Sequence, residues 1–187
     1  MGQIGWSRLD GEPFAVLGMG RSGIAAANAL VVAGADVVGY DDRDAAAIGD
    51  LTDKLHASVR VRCGGGYIAR PGEICVVSPG IAPHTATFRR ARASASAVIG
   101  EVELFYRLNQ RSHSGEGNPI VAISGTDGKT TTAMMIAHVL RVAGHDVCLA
   151  GNIGTPLTEV LPALRPAQWI VAEVSAFQLF TCAAFRP

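Results

Sequence analysis

The sequence carries no excess charge of either sign, since 16 lysines and arginines meet 16 aspartates and glutamates. Such a surface has no general pull toward nucleic acid or anionic membrane, and a small-molecule partner is expected instead. No CxxC pair occurs among Cys63, Cys75, Cys148 and Cys182, and Cys75 and Cys148 fall inside apolar runs. Buried thiols in a reducing compartment are therefore expected, not disulfides or a zinc site. His56, His84, His113, His138 and His145 show no ligand spacing such as HExxH, and His138 reads as a helix-face residue. No apolar run reaches the roughly 18 residues of a membrane span, and the first residues, MGQIGWSRLDGEP, lack the apolar core of a signal peptide. Trp6 occupies the place where an N-myristoylation signal requires Ser or Thr. The expected compartment is the cytoplasm.

What remains is a chain of 187 residues, 49% hydrophobic with a mean hydropathy of +0.27, the composition of a globular α/β protein with a substantial core. Its most informative stretch is GTDGKTTT, residues 125–132. The β-branched run PIVAIS before it reads as a buried parallel strand, and residues 133–143 after it read as a helix. A glycine-rich turn between strand and helix lets several backbone N–H groups converge, while the helix N-terminus and Lys129 add positive charge. Those are the requirements for a polyphosphate, and Thr130 is placed to offer its hydroxyl to a magnesium ion. The full P-loop pattern wants glycine where Ile123 stands, so the match is the shorter GxxGKT, with Gly125 in the early glycine's role. The plainer alternative is an ordinary turn with a solvated lysine.

A second glycine loop lies upstream. Phe14 to Gly18 read as a strand and residues 21–32 as a helix, and between them stands Gly18-Met19-Gly20-Arg21-Ser22-Gly23, a GxGxxG in its strand–turn–helix setting. Residues 36–40 read as the next strand, ending at Asp41-Asp42-Arg43. Asp41 has about the spacing of an acidic residue that bonds a ribose hydroxyl, although it could instead cap the following helix. Residues 44–56 read as helix, 59–63 as a partly exposed strand and 74–77 as a buried one. Ser78-Pro79-Gly80 turns that buried strand at the carboxyl edge, where open α/β sheets bind ligands. Residues 88–95 and 101–110 read as helices around a short strand at 97–99. The polar, glycine-rich residues 112–118 read as a linker. Beyond the phosphate loop, residues 146–150 form a strand ending in GNIG with Asn152, and residues 169–172 form another that delivers Glu173 to the carboxyl edge. An acidic residue there commonly steadies magnesium, the alternative being a structural carboxylate paired with a basic group.

Taken together, GMGRSG, DDR, SPGI, GEVELF, GTDGKTTT, GNIGTPL and EVSAFQL resemble the Mur ligases from about Phe14 to the end of the chain. EVSAFQL favours the branch that adds D-glutamate to UDP-N-acetylmuramoyl-L-alanine, with Ala176 where that branch commonly has a second serine. The resemblance implies a Rossmann-like parallel-sheet domain over residues 1–111 that binds the UDP substrate, then, after the linker, a partial P-loop α/β domain over 119–187. It implies ATP and Mg²⁺ as cofactors and amide formation through an acyl phosphate. Carried over, Gly125, Thr126, Asp127, Gly128, Lys129, Thr130 and Thr131 would hold ATP, and Thr130 and Glu173 the metal, with Lys129, Thr130 and Glu173 as the catalytic set. Gly18, Met19, Gly20, Arg21, Ser22, Gly23, Asp41, Asp42, Arg43, Ser78, Pro79 and Gly80 would hold the UDP moiety, and Asn152 the diphosphate or sugar. Members of the family are more than twice this long. The resemblance therefore implies that the remaining catalytic lysine, metal ligands and D-glutamate-binding domain lie beyond Pro187, and that the chain alone does not complete the ligation. A three-stranded sheet with few helices is further expected to leave apolar surface exposed and prone to self-association. Two rival classes stand beside this one: an NAD-dependent oxidoreductase, which leaves the second phosphate loop unexplained, and a non-catalytic nucleotide-binding module.

Overall fold

A computed structural model describes residues 9–110, 117–152 and 154–187. The predicted linker at 112–118 lies outside the described residues except for its last two. Of these Asn118 is buried, its side-chain amide donating to the carbonyls of Arg165 (2.6 Å) and Gln168 (3.0 Å).

The first half alternates strand and helix: β1 (Pro13–Leu17), α1 (Arg21–Val32), β2 (Asp36–Asp41), α2 (Ala45–Thr52), β3 (Arg60–Cys63), β4 (Ile74–Val77), α3 (Ala86–Ser94), β5 (Ala97–Gly100) and α4 (Glu101–Asn109). The strands pair in parallel in the order β3-β2-β1-β4-β5. Because β4 returns to the far side of β1, the direction of winding reverses between these two strands. That reversal opens a crevice at their carboxyl ends. The inner strands β1 and β4 are apolar on both faces, as strands covered on both sides require, while the edge strand β3 keeps Arg60 and Arg62 and is partly exposed. Phe14, Val16, Ile74 and Val76 meet Ile24, Ala27 and Leu30 of α1 on one face, while Ala15, Leu17, Cys75 and Val77 meet Phe88 and Ala91 of α3 on the other.

The second half contributes β6 (Ile120–Ile123), α5 (Lys129–Val142), β7 (Val147–Gly151), α6 (Leu157–Val160), a 3₁₀ turn (Leu161–Ala163), β8 (Trp169–Glu173) and α7 (Ala176–Leu179). These strands form a parallel sheet in the order β6-β8-β7. Helix α5 begins four residues before the sequence reading placed it. Gly128 adopts a left-handed conformation (φ +71°) as its N-cap, so Lys129 and the three threonines already form the first turn. Threonine's modest helix propensity had made them look like loop. Helices α6 and α7 are too short to leave a periodic signal, although α7 opens on a capping box between Ser175 and Gln178.

The expectation that the small sheet would lack cover is corrected by α4. Ala133 and Ala137 of α5 lie against one face with Val147 and Val171. On the other face Val102 and Phe105 of α4 join Leu157 of α6 against Ile170 and Ala172. The same α4 sends Leu104 and Leu108 into the core of the first sheet. Among the described residues of this half, exposed large apolar side chains lie on the outside of α5, at Met134, Met135 (63% exposed), Val139 (64%) and Val142 (74%), and around α7, at Phe177 (72%) and Phe180 (64%).

Since α4 belongs to both cores, the two halves should unfold together. Phe105→Ala, at a position with no solvent exposure, should cost about 3–5 kcal/mol while keeping one transition. Urea unfolding followed by tryptophan fluorescence and by far-UV circular dichroism checks this. Two separated transitions in the parent protein would show that α4 does not tie the halves.

Candidate functional site

At the crevice between β1 and β4, a cleft of about 290 Å³ is lined by Gly18, Gly20, Tyr40, Asp41, Asp42, Arg43, Ser78, Gly80, Ile81 and Thr87. The glycines of GMGRSG differ in purpose. A Cβ at Gly23 would meet the Gly18 carbonyl oxygen at 1.9 Å, so α1 can start this close to β1 only with glycine there. A Cβ at Gly20 would meet nothing within 4 Å, and its backbone stands bare toward the crevice, as close approach of a diphosphate requires.

Asp41 organises the floor of this cleft. Its carboxylate is 5% exposed and accepts the Met19 N–H (2.7 Å), the Arg43 N–H (3.0 Å) and a two-point contact from the Arg43 guanidinium (2.8 and 2.9 Å). It caps no helix: Asp44 stands at the α2 N-cap. The Arg43 guanidinium, helped by the backbone N–H groups of Arg43 and Met19, outweighs burial and holds the Asp41 carboxyl down at about 2. At the rim, Thr87 donates its hydroxyl to Asp42 (2.8 Å).

The second site lies at the carboxyl edge of the small sheet. Strand β8 is central there, with Glu173 in register between Ile123 of β6 and Gly151 of β7. The strand that feeds the phosphate loop and the strand that feeds Asn152 therefore end on either side of one buried carboxylate. Thr130 donates its hydroxyl to Glu173 Oε2 (2.8 Å) and Asn152 its amide to Oε1 (3.0 Å). Lys129 Nζ donates to the carbonyls of Gly125 (2.7 Å) and Thr126 (2.9 Å), so the ammonium sits over its own loop. One carboxylate beside a hydroxyl, with loop N–H groups and an ammonium close by, suits Mg²⁺, which takes few protein oxygens and relies on phosphates and water for the rest. Among the described residues no group of three or more His, Cys, Asp or Glu could hold a metal by itself.

Not every residue read from the sequence lies at the site assigned to it. Met19 is fully buried and contributes only its backbone to the cleft floor. The Arg21 guanidinium reaches across to the Gly154 carbonyl (2.5 Å). Pro79 lines a gap of about 20 Å³ between the halves, beside Phe177, Gln178 and Phe180. Asn152 faces the phosphate-loop corner and not the first cleft. Thr87 and Tyr40 line the cleft without having been singled out, as does Ile81, noted only as the last residue of SPGI. Tyr40 and Ile81 adjoin the DDR and SPG motifs, whereas Thr87 stands in a helix with no motif to mark it.

Two glycine-rich turns from strand to helix thus stand each at the carboxyl edge of its own parallel sheet. Residues 12–100, just under half of the chain, match the Mur ligase MurD-like N-terminal domain. The UDP-N-acetylmuramoylalanine–D-glutamate ligase of Caldanaerobacter subterraneus subsp. tengcongensis is 38% identical over 175 residues, 92% of this chain and 37% of that ligase. The corresponding ligase of Nitratidesulfovibrio vulgaris is 40% identical over 181 residues, 95% of this chain and 40% of that one. The Rhizobium etli ligase is 37% identical over 96% of this chain and 37% of its own length. The chain thus spans roughly two fifths of the length of these curated relatives. Among solved structures, UDP-N-acetylmuramate–alanine ligase from Thermotoga maritima aligns at a TM-score of 0.48 and 20% identity over 87% of this chain and 37% of that chain, too loosely to bear on the site.

The Asp41 clamp sets an acid limit. Its carboxyl titrates near 2 when folded against 3.8 ordinarily, so its stabilisation is fully present above about 4 and is lost as pH falls from 3.8 toward 2. NMR titration of the Asp41 carboxyl carbon checks the value. Asp41→Asn should cost about 1.5–3 kcal/mol at neutral pH and flatten the stability profile over that interval.

Proposed function

We propose that these sites belong to an ATP-dependent amide ligase that joins D-glutamate to UDP-N-acetylmuramoyl-L-alanine in the synthesis of peptidoglycan precursors, a cytoplasmic reaction. The observation that carries the reading is the pair of phosphate loops on adjoining sheets: an amide ligase that activates a nucleotide-linked acid needs two nucleotide sites, whereas a nicotinamide oxidoreductase needs one. In this reading ATP gives its terminal phosphoryl group to the substrate carboxylate, forming an acyl phosphate and ADP. The amine of D-glutamate then attacks the acyl carbon, the C–N bond forms, and phosphate leaves.

Each residue has a task that its geometry allows. The first cleft takes the UDP moiety, with the bare backbone at Gly20 toward the diphosphate and Asp42, Arg43, Ser78 and Thr87 around the nucleoside. Asp41 serves by fixing Arg43 and the Met19 N–H, since its own oxygens are already engaged. Residues 125–131 cradle the ATP phosphates, and the Lys129 ammonium leaves its loop carbonyls to balance phosphoryl charge. Thr130 and Glu173 hold magnesium, which would polarise the phosphoryl oxygens when bound. The apolar outside of α5 serves in the same reading as a surface for self-association. Met135→Lys with Val139→Lys should then lower the mass seen by light scattering, and an unchanged mass would remove that surface from the reading.

Isothermal titration with Mg-ATP, UDP-N-acetylmuramoyl-L-alanine and NADH separates the classes. The first two should bind and NADH should not. Lys129→Ala should weaken Mg-ATP by about 10–100-fold, the worth of a charge-assisted contact, and leave the UDP ligand unaffected. Arg43→Ala should do the reverse. Binding of NADH in place of the UDP ligand would turn the assignment toward an oxidoreductase.

A further inference from the structure

Glu101, the first residue of α4, is a carboxylate with 2% exposure on the first half of the chain, and its partners lie on the second. Its Oε1 accepts both the backbone N–H of Thr158 (2.6 Å) and the Thr158 hydroxyl (2.9 Å), and Thr158 is itself 1% exposed. Burying a carboxylate is costly unless donors meet it, and the first turn of α6 has N–H groups that the helix itself cannot satisfy. Each therefore answers the other's deficit across the boundary between the halves.

What Thr158 anchors is the far end of the segment that carries Asn152. The segment leaves β7 at Gly151 (φ +116°), where a Cβ would meet the Glu173 carbonyl oxygen at 2.2 Å, so it crosses directly over the end of β8. It then folds back on itself, the Gly151 N–H donating to the Thr155 carbonyl (2.8 Å) and the Asn152 N–H to the Glu173 carbonyl (2.7 Å). Its middle is held at Gly154 by Arg21, again from the first half. Glu101 and Arg21 thus hold, from the first half, a segment that, among the described residues, places the Asn152 side chain on Glu173, and Glu173 in turn receives the Thr130 hydroxyl.

We infer that Glu101 is a positioning residue for the phosphate-loop corner, acting through Thr158 and the 151–158 segment to hold Asn152 on Glu173. The ligand consequence rests on the proposed function; the positioning itself does not. Burial drives the Glu101 carboxyl toward its neutral form while the donors of Thr158 and Leu157 resist. An oxygen acceptor, more than a charge, is what the arrangement needs, and Gln at 101 keeps one.

Hydrogen exchange at single amides tests the positioning without any ligand. In Glu101→Ala, the Gly151 and Asn152 amides should exchange about 10-fold or more faster while those of Val16 and Val76 in the first sheet stay within about 2-fold, the pattern of local opening. Glu101→Gln should restore the parent pattern. Should Glu101→Ala fail to fold, Thr158→Val removes only the hydroxyl bond and should give about a 3–10-fold local increase. Parent-like exchange at Gly151 and Asn152 in the folded alanine variant, or in Thr158→Val where the alanine variant does not fold, overturns the inference, as does an equal rise at Val16 and Val76. In parallel, the magnesium concentration needed for half-maximal ATP binding should rise about 10-fold in Glu101→Ala and stay within about 3-fold in Glu101→Gln. If the parent binds no Mg-ATP, the proposed function fails while the exchange result still decides the positioning.

Discussion

The burial of both sides of α4 is the constraint on which the arrangement depends. A helix that places Leu104 in one core and Val102 and Phe105 in the other cannot shift toward either without opening a void in one of them. Its acidic side chains reinforce the same boundary. Glu103, fully buried, accepts the N–H groups of Ala183, Ala184 and Phe185 as well as the Arg107 side chain. Burial works against its charge, but those donors prevail and its carboxyl is held below the ordinary range. Its contribution is therefore present above the ordinary glutamate range and fades as pH falls through and below it. The carboxyl edges of the two sheets are brought into one neighbourhood by packing first and by polar contacts second.

Much of this was legible in the sequence because parallel strands announce themselves. Runs such as FAVL, ICVV and WIVAE have no polar face, and each ends at a glycine or a polar residue where the sheet edge must lie. The glycine loops follow from the same grammar: a buried strand, a bend only glycine permits, and a helix start. Lys129 and Thr130, on the loop and helix start that follow one buried strand, and Glu173, at the end of another, could be grouped because both strands read as parallel members of one sheet.

Less legible were contacts made by loops of one half on the other. Arg21 and Asn152 were read by motif as ligand residues, yet one reaches Gly154 and the other Glu173, partners fixed only when the two sheets meet. Glu101 and Glu103 stood out in the sequence only as part of GEVELF at a helix start, because nothing local distinguishes a solvated glutamate from one that will be enclosed. The short helices α6 and α7 escaped for a different reason, having too few residues for periodicity to register.

The double allegiance of α4 also bears on how such a chain could be recombined. A crossover placed in the glycine-rich stretch after α4 would carry the helix away with the first half, and Val102, Phe105 and the Glu103 cradle would then confront an unrelated second half. A crossover at Gly100, where the matched family domain also stops, leaves α4 with the sheet it walls and exchanges Leu104 and Leu108 against a new partner, along with the Arg21 contact to Gly154. Exchange of first halves in front of the small sheet should therefore succeed at the end of β5 far more often than beyond α4.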